Sequence, residues 1–123
     1  MHTAKIKKEI SKAISAHGMW KNTLRNAIET GKSSSTPEKV QQDNNCSFGK
    51  WLHTRIDPSM RESSMYKQIV ETHKKFHIQA ALILTLALAR KTEEATEGIK
   101  LGSEFSKSSS LLISQLSEWE ESL

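Results

Sequence analysis

Tyr66-Lys67-Gln68-Ile69-Val70-Glu71-Thr72-His73-Lys74-Lys75-Phe76-His77-Ile78-Gln79-Ala80-Ala81-Leu82-Ile83-Leu84 is the stretch that decides the fold. Tyr66, Ile69, Val70, His73, His77, Ala80, Ala81, Leu84 and, beyond it, Leu88 recur at the three- and four-residue steps of one helix face. Two imidazoles, His73 and His77, sit on that stripe one turn apart, so they project to the same side. The spacing predicts a long helix from about Ser63 to Thr92. After Leu84 it is apolar nearly all round, which implies an end deeply buried or shared with a partner.

Working outward, the N-terminal third repeats the pattern. Ile6, Ile10, Ala13, Ile14, Trp20, Leu24, Ala27 and Ile28 predict a helix over about Thr3 to Thr30, with His17 on the stripe and Gly31 as its stop. Lys32 to Asn45 reads as a polar loop in which Glu38 to Gln42 can add a helical turn. A short helix follows from Ser47 to about Thr54, with Phe48, Trp51 and Leu52 facing inward and Cys46 at its N-terminus. Asp57-Pro58-Ser59 breaks the chain. A last helix is expected over Glu93 to Glu120, with Ile99, Gly102, Phe105, Leu112, Ile113, Leu116 and Trp119 toward the core. Gly98 and Gly102 weaken it and mark a bend or a close helix contact. The expected fold is all-α: a four-helix bundle with an extra short helix carrying the cysteine motif, in one domain over residues 1–123.

Composition agrees. The 123 residues include 2 Pro and 5 Gly, little turn chemistry for an all-β fold, and can bury a core without disulfides. Lys and Arg number 18 against 14 Asp and Glu, a formal charge of +4. The lysines are scattered and aromatics are only 6%, so the charge reads as a solvated surface, and no nucleic-acid partner is expected. The apolar run Ile78 to Ala89 is too short for a bilayer, which needs about 20 residues, and no signal peptide is visible. Neither a membrane partner nor export is therefore expected. One cysteine cannot form an internal disulfide and fits a reducing cytoplasm. Asn45-Cys46-Ser47 matches a glycosylation acceptor only formally.

Three imidazoles on bundle-facing stripes would be costly to leave unpaired. Each alone has a plainer reading, a core histidine bonded to a carbonyl, and a lone cysteine is often only a small buried hydrophobe. Together, His17 near the middle of the first helix and His73 and His77 near the middle of the third can meet at one height, and Cys46 completes a tetrahedron. Three nitrogens and a thiolate favour zinc. Four protein ligands make a closed site, which stabilises or senses rather than catalyses. His53, seven residues after Cys46, is the competing ligand, expected on the surface of the short helix; His2 lies in a tail expected to fray.

Catalytic motifs fail one by one, so no enzyme is expected. Lys74 follows His73 where His-Glu-x-x-His needs Glu. Ile14, Lys50, Val70 and Lys74 stand three residues before the histidines, where a di-iron bundle needs Glu. Asn26 replaces the first glycine of a phosphate loop ending in Gly31-Lys32-Ser33, and no Gly-x-Ser-x-Gly elbow is present.

With these residues in hand, the chain resembles the chemoreceptor zinc-binding family. Its pattern is a first-helix histidine, Cys-x-(Leu/Phe)-Gly-x-Trp and His-x-x-x-His, matched by His17, Cys46-Ser47-Phe48-Gly49-Lys50-Trp51 and His73-Lys74-Lys75-Phe76-His77. Trp20 also resembles the family's first helix. The resemblance spans nearly the whole chain and implies one zinc per subunit on the three histidines and the cysteine, in a bundle that is often a homodimer. It implies a cytoplasmic role beside a chemoreceptor, a diguanylate cyclase or another signalling output, sensing zinc or oxidants such as hypochlorous acid. No receptor hairpin or cyclase domain lies within these residues, which fits a stand-alone member and an excised sensor domain equally. A different class of reading is a helical interaction module in which zinc is only a staple, and a third is a bundle enzyme with another metal. The apolar face Leu82 to Leu88, with Trp119 and Leu123, reads either as a dimer surface or as the bundle's own core.

Overall fold

The computed structural model describes residues 2–56 and 58–123, with side chains for all of these but His2 and Asn45. Asp57, part of the expected Asp57-Pro58-Ser59 break, lies outside the described residues. Every regular element among them is helical, as the periodicity predicts. Helices α1 (His2–Gly18) and α2 (Trp20–Thr30) form one rod. Backbone bonds from Met19 N–H to the Ser15 carbonyl and from Thr23 N–H to the Met19 carbonyl bridge the junction, so the predicted helix is present with an irregularity at Met19. Gly31 stops it in the left-handed region at φ 69°, its N–H donating to the Ala27 carbonyl.

The crossover is built from short pieces. Helix α3 (Pro37–Gln41) starts where the Thr36 side chain accepts from Lys39 N–H, with Pro37 in the first turn. A 3-10 turn (Asp43–Asn45) leads into α4 (Ser47–Lys50), which widens into a π-type turn over Trp51–Arg55. Phe48, Trp51 and Leu52 are buried, as expected. A second 3-10 turn (Pro58–Glu62) precedes α5 (Ser64–Leu88), capped by the Ser63 hydroxyl. Helix α5 is the central element: it packs on α2, α3, α6 (Thr92–Gly98) and α7 (Glu104–Ser122), while α1 lies along α7. The short crossover helices complete the bundle against α1 and α5.

Two long helices end sooner than periodicity implies. Helix α5 stops at Leu88 rather than Thr92, because Arg90 turns the chain at φ 62° and Lys91 N–H reaches back to the Leu86 carbonyl. The last helix divides at 99–103 into α6 and α7. Gly98 is the close contact, where a Cβ would sit 3.1 Å from Ile83, and Gly102, at φ 88°, is the bend. Gly102 is exposed rather than core-facing.

Ile10, Leu24, Leu52, Ile69, Phe76, Leu84, Phe105, Leu112 and Leu116 form the sealed core. Trp119 belongs to it, against Trp51 and Tyr66, so that part of the suspected dimer surface fills the chain's own interior. Beyond Leu84 the burial is one-sided: Ala87 is buried and Leu86 and Leu88 are half-buried, while Leu82 just before is 54% exposed. No described helix is long and apolar enough to cross a membrane.

Gly49 is required by close approach: a Cβ there would collide with the Asp43 backbone carbonyl. Gly49→Ala should cost about 1–3 kcal/mol in urea unfolding, the usual range for overpacking. Gly18→Ala, at a helical glycine with open space around it, should gain about 0.5–1 kcal/mol. Equal and small effects of the two would refute the assigned role of Gly49.

Candidate metal centre

Three elements converge on one buried point. His17 comes from the last turn of α1, Cys46 is the N-terminal cap of α4, and His73 and His77 face inward from mid-α5. The histidines are almost wholly buried and Cys46 is half-buried. Their donor atoms all lie within 4.8 Å of one another. His73 Nε2 is 3.1 Å from His17 Nε2, 3.0 Å from His77 Nε2 and 3.3 Å from Cys46 Sγ. A tetrahedral zinc with bonds of about 2.0–2.1 Å to nitrogen and about 2.3 Å to sulfur sets neighbouring donors about 3.3–3.6 Å apart, so the set fits with little movement.

Proton placement makes the case stronger. His17 Nδ1–H donates to the Ala13 carbonyl at 2.7 Å, and His77 Nδ1–H to the Val40 carbonyl at 2.9 Å. In neutral rings this leaves both Nε2 atoms as bare lone pairs. His73 Nε2 faces both and can give a proton to only one. Its other nitrogen, Nδ1, is buried without a hydrogen-bond partner. Protonating the rings instead is opposed by burial, which drives the His17 pKa down to about 4 and those of His73 and His77 downward too. Burial pushes the Cys46 thiol up, against the Gly49 and Phe48 backbone N–H groups, which favour the thiolate. Electron pairs converge and positive charge is missing: a dication is the group that satisfies them.

Aromatic rings pack around the histidines. Phe48 and Phe76 edge onto His17, Phe48 also onto His73, and Trp20 onto His77. The cysteine turn holds Cys46 through Gly49 N–H, which donates to Sγ at 3.2 Å. His53 stays outside the cluster and exposed, its Nε2–H donating to Asp43 Oδ2 at 3.0 Å. His2 begins α1 rather than preceding it, and its side chain is outside the described residues. Sequence reasoning missed Asp43, whose carboxylate lies 4.0 Å from His73 Nδ1. Its position three residues before Cys46, in the loop that must deliver the thiol, was the available signal.

Comparison with known families decides the class. The model of the chemoreceptor zinc-binding domain matches residues 17–84, more than half of the chain, and its span includes all four donors. The chain belongs to the chemoreceptor zinc-binding domain family. Zinc is the metal this family and this donor set imply. No curated protein and no solved structure matches the chain.

Acid should destabilise the zinc-free domain. A folded-state pKa of about 4 for His17 lies below the ordinary 6.5, so the unfolded chain takes the proton first. Its contribution is complete above pH 6.5 and is lost as pH falls from about 6.5 to about 4, on the order of 3 kcal/mol from His17 alone. His73 and His77 add in the same direction. Urea midpoints measured in chelator between pH 7 and pH 4 test this, and a flat profile would refute it.

Proposed function

We propose that this domain is a zinc-binding sensory or regulatory module of bacterial signal transduction, of the chemotaxis or cyclic-di-GMP type, responding to zinc or to oxidation of Cys46. The observation that carries the reading is the His17, Cys46, His73 and His77 cluster in a chain of this family. In this reading it works in the cytoplasm, where a lone thiol stays reduced. It acts as a homodimer and passes its signal to a chemoreceptor, a cyclase or another output protein. It is not an enzyme: four protein donors complete a zinc tetrahedron and leave no position for a reacting water.

Bound zinc supplies the dication that keeps Cys46 a thiolate. The chain does the rest. His17 fixes the first rod, His73 and His77 fix α5, and Cys46 fixes the crossover to both. Cys46 is the donor best placed to leave, since it rides on short turns while the histidines ride on long helices. It also borders two grooves, one against α1 beside Lys12, Ala16 and Arg55, the other beside Trp20 and Val40. Small reagents can approach the sulfur through them. With hypochlorous acid the thiolate takes the oxygen, chloride leaves, and Cys46 becomes a sulfenic acid. The crossover is then released while the histidines stay in place, so helix packing at that end changes.

Cys46→Ala should weaken zinc binding by roughly 100-fold or more, since outer partners of ligands alone are worth about 10–100-fold. Far-UV helicity should be preserved. Complete unfolding of the variant would instead make zinc a staple of a helical interaction module. One equivalent of hypochlorous acid should add oxygen at Cys46 and release zinc to a chromophoric chelator. Methionine oxidation with Cys46 unchanged and zinc retained would rule out oxidant sensing.

A further inference from the structure

His73 is the odd histidine of the three. Backbone carbonyls hold Nδ1 of His17 and His77, but His73 Nδ1 is fully buried with no hydrogen-bond partner. The carboxylate it faces, at 4.0 Å, is that of Asp43. The same oxygen, Oδ2, receives Nε2–H from His53 at 3.0 Å. Through its backbone Asp43 also meets the thiol: Cys46 Sγ–H donates to the Asp43 carbonyl at 3.5 Å, and the same carbonyl crowds the position of Gly49. One residue therefore touches the cysteine turn with its main chain and reaches toward His73 with its side chain. A second, His53, anchors that side chain from the solvent side.

We infer that Asp43, held by His53, is a positioning residue for the metal centre: its carboxylate accepts the Nδ1–H of His73 in the zinc-loaded domain and so sets how tightly zinc is held. This rests on the zinc reading above. The physical reasons are three. A liganding imidazole presents its lone pair only when its other nitrogen carries the proton, and an acceptor there fixes that tautomer and the ring orientation. His73 lacks such an acceptor until the carboxylate moves about 1 Å closer, into hydrogen-bond range. Three neutral imidazoles and one thiolate on a dication leave one positive charge in a buried place, and a neighbouring carboxylate balances it. His53, the rival ligand by sequence, thus gains a role without touching the metal: it keeps Asp43 aimed.

Chelator-competition titration of zinc into the parent chain, Asp43→Asn, His53→Ala and the double variant tests this. Asp43→Asn keeps the side chain's shape and removes its charge; His53 is exposed, so its loss leaves the fold intact. Asp43→Asn should bind zinc about 10- to 100-fold more weakly. His53→Ala should lose less, and the double variant no more than Asp43→Asn alone, because both act through one carboxylate. In the zinc-loaded parent, NMR should show a slowly exchanging His73 Nδ1–H resonance that moves in Asp43→Asn, while those of His17 and His77 stay fixed. A purely structural Asp43 would lower zinc-free stability and leave that resonance alone. Zinc affinity within twofold of the parent in Asp43→Asn, or independent, additive losses, would overturn the inference. A parent that binds no zinc would overturn this inference and the zinc reading together.

Discussion

Three imidazoles and a thiol whose donor atoms all lie within 4.8 Å of one another form the constraint on which the rest of this domain depends. Such a cluster is unfavourable by itself. Two Nε2 atoms are left as lone pairs because the Ala13 and Val40 carbonyls take the opposite protons, and burial opposes protonation. A protein interior tolerates converging lone pairs only when something positive answers them. The sequence around the cluster serves that end. Gly49 lets the cysteine turn pass over the Asp43 carbonyl, Trp20 and Phe48 shut the sides, and the long, capped helix α5 holds two donors at fixed separation.

That arrangement divides the molecule into firm and yielding parts. His17, His73 and His77 sit on rods whose apolar faces are sealed into one core by Ile10, Phe76, Phe105 and Leu112. Cys46 instead caps a four-residue helix between two turns; Asp43, Asn44, Ser47 and Lys50 beside it are half-buried or exposed, while Phe48, Gly49, Trp51 and Leu52 are buried. In the sensing proposal, a change at the sulfur acts on these short turns first and reaches the bundle through the helices that flank them.

Much of this was legible in the sequence. Three- and four-residue spacing locates the long helices because each buries a continuous stripe, and it places His17, His73 and His77 on the inward side where the structure has them. Gly31 marked a true helix end, since a left-handed residue is needed there. Periodicity failed at two boundaries: the apolar stripe of α5 ends at Leu88 and the polar residues after it do not mark where the helix stops, while Ala95, Ile99 and Phe105 keep a stripe across Gly98 to Gly102, so the turn there is invisible to it. Burial at Trp119 was ambiguous because an apolar residue near a terminus fits a core and an interface equally; Trp51 and Tyr66 resolve it. Asp43 stands three residues before Cys46, a local hint, but its part depends on a distance to His73 across 30 residues of chain.

The metal centre is tested most directly by X-ray absorption at the zinc edge on protein purified without added metal. About one zinc per chain is expected, with three nitrogen neighbours at about 2.0 Å and one sulfur at about 2.3 Å. A metal-free protein that takes up no zinc when it is supplied, or a zinc shell without sulfur, would contradict that expectation.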